Sequence, residues 1–307
     1  MARQSYNLDG VKFAVESTWG SAGGTFTVDL GWVQEMTINL ADDVLQARYI
    51  KGGTDGMLAD ANIDLLHTVN GTITTWAVDW IQTQYLFGDY STDSGNYTIN
   101  PSRTISGLTA KGSYDATDAL QIVGLTLTKC SMKLSEGEAV EIVYDYIGKK
   151  ENELTETVEG TAPSENPMTF LNGSMAVDGN NYKISTATLD ADFQTVGRRN
   201  VEAISSGDER VITEVIKKNL NLTFQITADL EDIDTEYEVY TDGTAVQEAR
   251  SDFSIVLTMK SADGDTHTVT LTGARGTTFE KALNISGDVK TFSFNGVAKD
   301  IQLLGVV

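Results

Sequence analysis

The feature that most constrains the fold of this 307-residue chain is a thirteen-residue pattern that occurs twice. Residues 137–149 read GEAVEIVYDYIGK, and residues 287–299, which begin 150 positions later, read GDVKTFSFNGVAK. Each copy opens with glycine and an acid, alternates apolar with polar residues, and closes on lysine. Such alternation is typical of a β-strand with one buried face. The spacing, about half of the chain, indicates a duplicated β unit.

Two further pairs of segments lie in the same order near the same spacing, and the opening strands of the two halves align there less closely. Any two β domains share alternation and turns, but three ordered matches favour duplication over that alternative. The opening strands are residues 33–43 and 184–193, and the two pairs are residues 45–53 with 196–207 (Arg48 with Arg198), and residues 72–80 with 220–230 (Trp76, Val78, Asp79 and Trp80 with Ile226, Ala228, Asp229 and Leu230).

Strand-like segments dominate the chain, and helix candidates are short. Glycine is frequent, with 28 residues, and proline is rare, with 3, which suits many strands joined by tight turns. Short helices are expected at residues 81–88 and 231–240. Residues 151–168 are acidic, contain two of the prolines and predict a linker. We therefore expect a mainly β chain with a first domain over residues 1–150 and a second over 169–307.

The net charge of −22 bears on the partners of the chain. It argues against a basic reader of nucleic acid and against docking on anionic lipid, since both need lysine and arginine. It suits a wall past which DNA slides without sticking. The single cysteine, Cys130, excludes an intrachain disulfide. No apolar run approaches the roughly 18 residues of a membrane helix, and the first residues lack a signal core, so we expect synthesis in a cytoplasm.

Signals for enzyme chemistry are weak. The two histidines, His67 and His267, lie beside strand-like segments, and no G-x-S-x-G turn provides a nucleophile for a catalytic relay. Cys130 lies within a strand-like run, where a buried, inert thiol is expected. The acidic stretches lack the loop spacing of an EF-hand. We expect no enzyme activity, no cofactor and no bound metal.

Three stretches of the chain resemble the tail tube proteins of long-tailed prokaryotic viruses. Residues 124–150, GLTLTKCSMKLSEGEAVEIVYDYIGKK, resemble the closing strands of that family, with a glycine-bearing strand, a turn and an alternating strand that ends near Gly-Lys. Residues 13–40 resemble its opening, with an E-S-T-x-G start and a glycine-rich gap, and residues 197–214 are also similar. The motifs are loose patterns, but the resemblance spans most of the chain.

The resemblance implies a fold and an assembly. The expected unit is a β-sandwich of two antiparallel sheets with a short flanking helix, and the inner sheets of six units join into one β-barrel ring. A chain with two units would form trimeric, pseudo-hexameric rings that stack into a tail tube and conduct DNA during ejection. The implied partners are further copies of the chain, the tape measure, terminator and baseplate proteins, and viral DNA held without sequence specificity, with no membrane. The implied location is the virion tail, assembled in the host cytoplasm.

Within this resemblance, two sets of residues are candidates for function. Residues 45–60 and 196–210 would be long hairpin loops that reach an adjacent ring, and their basic residues would pair with carboxylates there. Lumen-facing candidates are Glu141 and Asp145, because Ile142, Tyr144 and Tyr146 occupy the opposite, apolar face of the same strand. The loop candidates are Arg48, Lys51, Arg198, Arg199 and Arg210.

Other classes of function remain open at this point. Another virion component, such as a terminator, an adaptor or a baseplate ring, could use the same fold. A secreted or surface-bound two-domain β-sandwich adhesin would be expected to carry a secretion signal. A β-rich hydrolase would need a carboxylate pair or triad that nothing in the sequence selects.

Overall fold

A computed structural model describes residues 3–50, 58–160, 163–182, 184–198, 211–229, 252–261, 264–282 and 291–306. The described chain is mainly β-strand, which confirms the predicted fold class at that level. Its helical residues form a 3-10 turn at Ile81–Thr83 and the short helix α1 at Gln84–Phe87, which ends on Gly88 in the left-handed conformation. This confirms the helix expected at residues 81–88. The second candidate, residues 231–240, lies outside the described residues.

The strands fall into two sets along the chain. The first set is β1 (Arg3–Val15), β2 (Trp32–Ile50), β3 (Leu58–Trp76), β4 (Gly88–Asp93), β5 (Asn96–Pro101), β6 (Leu108–Ser113), β7 (Ala119–Ser135), β8 (Glu141–Gly148) and β9 (Lys150–Leu154). The second set is β10 (Thr169–Val177), β11 (Asn180–Tyr182), β12 (Ile184–Asp192), β13 (Val196–Arg198), β14 (Glu214–Ile216), β15 (Asn221–Asp229), β16 (Phe253–Lys260), β17 (Thr266–Ala282), β18 (Thr291–Ala298) and β19 (Asp300–Val306).

One long row of strands runs through both halves of the chain. Its antiparallel order is β1-β2-β3-β8-β7-β12-β15-β18-β17. The pairing of β7 with β12 joins the two halves by backbone hydrogen bonds. We call these nine strands the long row. Within the described residues its ends, β1 and β17, are not paired with each other, so the described row is open.

Two shorter rows continue from the long row. The first has the order β1-β6-β7-β9, and the second has the order β11-β10-β16-β17-β19-β5-β4. Strands β7 and β17 belong to the long row at their carboxyl ends and to a shorter row at their amino ends. The pairing of β19 with β5 joins the halves a second time. Buried apolar side chains from the long row and both shorter rows form one hydrophobic cluster.

The strand register shows that the same arrangement occurs twice. In the long row, β2-β3-β8-β7 has the same order as β12-β15-β18-β17. An irregularity between Val33 and Glu35 in β2 has its counterpart between Ile184 and Thr186 in β12, 151 residues later. One between Leu127 and Lys129 in β7 has its counterpart in β17, 149 residues later. A bulge alters strand twist and direction at a defined place, so its repetition marks equivalent positions.

A glycine and a lysine mark the place where each shared strand passes from one row to the other. Gly124 in β7 has φ +70° and Gly273 in β17 has φ +62°. The backbone N–H of Lys149 donates to Val123 O at 2.9 Å, and that of Lys299 donates to Thr272 O at 3.1 Å. A Cβ on Gly124 would lie 2.7 Å from Lys149 Cβ. The closing lysine of the repeated sequence pattern therefore packs over the glycine that turns the strand.

The structure corrects one match made from the sequence. Residue pairs across the sheet place Tyr144 opposite Ile73 and Phe294 opposite Ile226. Ile226 is therefore equivalent to Ile73, with an offset of 153, and the predicted match of Ile226 with Trp76 is wrong by three residues. The exposed fractions agree, because Ile73 and Ile226 are fully buried whereas Trp76 is 39% exposed. The match of Arg48 with Arg198 is also wrong, by one residue, because the offset of 151 between β2 and β12 places Arg198 with Ala47.

The segment that the sequence predicts to be a linker contains ordered contacts. β9 occupies residues 150–154 and pairs with the amino end of β7, in the way that β19 pairs with β17. Val158 and Met168 are buried. The division into residues 1–150, 151–168 and 169–307 stays a prediction.

The glycine at the turn of β7 yields a test. We expect Gly124→Ala to lower the free energy of unfolding more than Gly137→Ala does. Both glycines have positive φ, +70° and +78°, so both variants carry backbone strain of about 1 kcal/mol. Only Gly124 faces an added clash with Lys149, whereas no atom lies within 4 Å of a Cβ on Gly137. Chemical denaturation should show a further loss of about 1–2 kcal/mol for Gly124→Ala; equal losses would contradict the role of this contact.

Candidate assembly surface

The two faces of the long row differ in character. One face contributes buried apolar side chains, among them Ile38, Ile73, Tyr144, Leu189 and Phe294. The alternate residues point away from the hydrophobic cluster, and their described side chains are mostly threonine, serine and charged residues. We call this second surface the polar face. Among the side chains that the structure describes, its charged residues are Glu35, Lys129, Lys133, Glu141, Asp145, Asp190 and Asp192.

Glu141 and Asp145 lie on the polar face, as their alternation with apolar residues predicts. Ile142, Tyr144 and Tyr146 are buried, which confirms the assignment of the core face of β8. Glu141 accepts a hydrogen bond of 2.6 Å from Lys133 Nζ. In the second half the side chain of Phe294 is buried too, whereas the side chain of Phe292 lies outside the description. Whether the polar face lines a lumen stays a prediction.

The charges of the polar face concentrate where the two halves meet. Lys129 in β7 is opposite Asp145 in β8 on one side and Asp192 in β12 on the other. Its Nζ lies 3.8 Å from the carboxylate of Asp190. Partial burial raises the pKa of Asp145, and the nearby carboxylates of Asp192 and Asp190 raise it further, while Lys129 lowers it. A single lysine thus lies among three carboxylic side chains at the junction.

The opposite side of the junction is apolar. In the pairing of β7 with β12, residues Lys129–Ser135 lie opposite Asp192–Thr186 in seven consecutive pairs. Cys130 is opposite Ala191 and Met132 is opposite Leu189, and all four side chains are buried. Burial raises the pKa of the Cys130 thiol, which keeps it protonated and unreactive. The junction therefore has a buried apolar side, a charged side and continuous pairing of the two backbones.

Lys217 connects the halves outside the sheet. Its side chain is buried, and its ammonium group donates to the carbonyl oxygens of Leu86, in α1, and Thr104, the latter at 3.0 Å. It also lies 4.8 Å from the centre of the Phe193 ring. Burial lowers the pKa of Lys217 to about 8. Sequence reasoning missed this contact, because an ordinary lysine beside Lys218 carries no local signal of burial.

The segment that precedes β10 is bound to strand ends of the first half. The N–H of Met168 donates to Ala77 O at 2.7 Å, and Met168 O accepts from the N–H of Val140 at 2.9 Å. The N–H of Phe170 donates to Glu138 O at 3.2 Å. These bonds hold residues 168–170 beside β8 rather than beside β12.

A second acidic group lies close to this segment. Asp79 accepts a hydrogen bond from the N–H of Ile81 at 2.8 Å, at the start of the 3-10 turn. Burial raises the pKa of Asp79 to about 6, and the carboxylates of Glu165 and Asp29 add to the increase, although the Ile81 hydrogen bond opposes it. Asp79 therefore begins to lose its charge in mildly acidic solution.

Two hairpin extensions project beyond the paired part of the long row. Residues 42–50 of β2 pair with residues 58–67 of β3, and within the described residues neither stretch pairs with another strand. β13 and β14 form the corresponding hairpin, with Val196 opposite Ile216 as Leu45 is opposite Ile63. We call both the ribbons. The predicted hairpin form is seen only in these paired strands, because residues 51–57 and 199–210 lie outside the described residues.

The predicted loop cations are only partly described. Arg48 lies in the β2 strand of the first ribbon, although its side chain is not described, and the side chain of Arg198 is exposed in β13. Lys51, Arg199 and Arg210 lie outside the described residues. Their contact with another ring stays a prediction.

Both histidines have partners in the fold. His67 Nε2 lies 2.5 Å from a carboxylate oxygen of Glu151, and His267 Nδ1 lies 3.1 Å from the hydroxyl of Tyr97. Burial lowers the pKa of His267. Among the described side chains, no three histidine, cysteine or acidic residues come together in a way that could hold a metal ion.

Comparison with known proteins gives no family for the chain. No protein-family model matches the sequence, and no curated protein matches it. In the described part of the chain, no helix is long and apolar enough to cross a membrane.

The buried ammonium of Lys217 predicts a pH dependence. Its pKa is about 8 in the folded chain and near the ordinary 10.5 when unfolded, so the unfolded chain binds more protons between these values. Stability should therefore increase with pH across this window. Relative to that of Lys217→Met, the free energy of unfolding of the native chain should increase by about 1–2 kcal/mol between pH 7.5 and 10.

Denaturation of both proteins at each pH measures this difference, with Lys218→Met as the control, since Lys218 is exposed. Parallel pH profiles for the native chain and Lys217→Met would contradict the burial of a titrating ammonium.

Asp79 predicts the opposite trend in acid. Its folded pKa of about 6 lies above the unfolded value of 3.8, so its ionisation destabilises the folded chain as pH rises through this window. Asp79→Asn keeps an oxygen for the Ile81 N–H and removes the charge. We expect this variant to exceed the native chain in stability by about 1–2 kcal/mol at pH 7 and to match it near pH 4.

The measurement is thermal or chemical unfolding across pH 4–7, with Asp89→Asn in the exposed strand β4 as the control. A variant that is less stable than the native chain at pH 7 would contradict the assignment of a raised pKa to Asp79.

Proposed function

We propose that the chain is a structural virion protein, the tail tube subunit of a long-tailed prokaryotic virus. In this proposal each half is one tail-tube β-sandwich domain, with its part of the long row as the inner sheet and a shorter row as the outer sheet. The observation that supports it most is the junction of β7 with β12. There, two halves of equivalent register join edge to edge into one sheet.

The same joint can be made between separate copies of the chain. The junction places the free edge of the first half, β7, on the leading edge of the second half, β12. The strand equivalent to β7 in the second half is β17, which ends the long row. The strand equivalent to β12 in the first half is β2. A head-to-tail contact of this kind uses two different surfaces and generates a ring when the rotation closes. Closure also removes the sheet edges that otherwise promote aggregation.

The number of copies comes from the resemblance, which implies six domains in a ring and therefore three chains. Each chain would contribute the eight strands from β2 to β17 of the long row, so three chains would contribute twenty-four. With strands about 4.8 Å apart and tilted by about 40°, such a barrel is roughly 50 Å across between backbones. After the side chains of both walls are subtracted, the channel is wide enough for a DNA duplex.

The polar face would line this channel. The opposite face of the long row is covered by the hydrophobic cluster and the shorter rows, which need the larger circumference outside the barrel. The lumen would then carry Glu141, Asp145, Asp190 and Asp192, with Lys129 between them. Excess carboxylates repel DNA phosphates, so the wall would let DNA slide without binding it. This agrees with the net charge of −22.

The ribbons would connect successive rings. An isolated two-stranded hairpin is marginally stable in water, and residues 42–50 extend it for about 30 Å beyond the neighbouring strands. A binding surface on an adjacent ring would stabilise it. Tape measure, terminator and baseplate proteins are the further partners in this proposal, and the assembled protein would be located in the virion tail.

Assembly of the purified chain tests the proposal. At increasing concentration, or after addition of preformed polymer, we expect rings of three chains with six similar lobes, and then stacked tubes. Negative-stain electron microscopy shows the rings, and light scattering gives the number of chains. A chain that remains monomeric under all of these conditions would contradict the proposal.

A further inference from the structure

The first strand of the chain covers an edge that the proposed ring needs. Residues 3–8 of β1 pair antiparallel with residues 36–41 of β2, from Arg3 opposite Ala41 to Leu8 opposite Met36. On its other side, β2 pairs with β3. The outer backbone groups of residues 36–41 are therefore already engaged in the single chain.

The equivalent edge in the second half has a different partner. With the offset of 151 between β2 and β12, residues 36–41 correspond to residues 187–192. Those residues pair with residues 134–129 of β7 in the internal junction. The equivalent edges of β2 and β12 thus have different partners. β1 covers the edge of β2, and β7 of the first half covers the edge of β12.

The segment that leads into the second half occupies a different place from its counterpart in the first half. The later parts of β1 and β10 are equivalent, because Phe13 is opposite Ala110 in β6, and Val177 is opposite Ile255 at the corresponding place in β16. Upstream of this point, the first half places residues 3–8 on β2. The second half instead places residues 168–170 against Ala77, Glu138 and Val140 of the preceding half.

We propose that residues 3–8 are an exchangeable cover, which β17 of a second copy displaces from β2 during assembly. Transfer of the internal junction by its offsets of 149 and 151 sets the register. Residues 278–282 of β17 in one copy would lie opposite residues 41–37 of β2 in the next. The released residues 3–8 would then lie against strand ends of the incoming copy, as residues 168–170 do within the chain. The inference rests on the proposed ring.

The two pairings exclude each other, because both use the outer backbone groups of residues 37–41. Within the described residues, the outer edge of β17 from Thr278 to Ala282 has no neighbouring strand. A tethered cover has a high local concentration, so it delays pairing between free copies and limits aggregation. It is displaced when an incoming copy brings β17 together with further contacts. Assembly should therefore begin slowly and accelerate on existing polymer.

Two cysteine pairs that share Asn39 test the exchange. Asn39 is exposed and lies opposite Ser5 in β1, and the proposed register places it opposite Glu280 of the neighbouring copy. Ser5→Cys with Asn39→Cys locks the cover after oxidation. Asn39→Cys with Glu280→Cys reports the new interface. The native Cys130 is buried and does not compete.

We expect the oxidised Ser5/Asn39 pair to reduce polymer yield at least about tenfold, and reductant to restore it. The Asn39/Glu280 pair should form disulfides between chains only in polymer. Asn39→Cys with Lys281→Cys is the control, because successive side chains of a strand point to opposite faces and should not cross-link. Deletion of residues 2–8 should shorten the lag before assembly.

The outcomes separate this inference from the proposed function. Tubes that form at the native rate with the cover locked would overturn the exchange while supporting the tail tube. Tubes in which only Asn39/Lys281 cross-links would overturn the register and therefore the exchange as stated. A native chain that never assembles would overturn the proposed function and the exchange together.

Discussion

Backbone pairing between β7 and β12 is the interaction on which the rest of the structure depends. An antiparallel sheet with an unpaired edge can add another strand, and this chain satisfies one such edge with its own second half. The halves are equivalent in register, so in the proposed ring the pairing of β17 with β2 of another copy would repeat the contact of β7 with β12. The proposed assembly would then need no separate interface.

The second requirement is that the repeated unit can turn its shared strands from one row to the other. Gly124 and Gly273 permit this turn through positive φ, and Lys149 and Lys299 cover them. Cys130, Met132 and Leu134 are then directed into the core while Lys129 and Lys133 lie on the polar face. The closing lysine of the repeated sequence pattern therefore lies over the glycine at which each shared strand turns.

Much of this arrangement follows from short-range sequence patterns. The alternation in β8 predicts which face is buried, and the spacing of 150 predicts duplication. Matches between distant segments fail where loops differ in length, because the offset between equivalent residues varies from 149 in β7 to 153 in β3. A uniform offset of 150 therefore pairs Ile226 with Trp76, whereas the structure makes it equivalent to Ile73. The burial of Lys217 and the cover formed by β1 depend on contacts between remote segments, which no local pattern encodes.

Hydrogen exchange tests the central claim, that copies join as the two halves do. In the single chain, amides of residues 186–192 should be protected by the internal junction, while outward amides of residues 278–282 should exchange quickly. After assembly, residues 278–282 should become protected to a similar degree. If these residues exchange equally fast in monomer and polymer, β17 does not pair with a neighbouring copy and the account is contradicted.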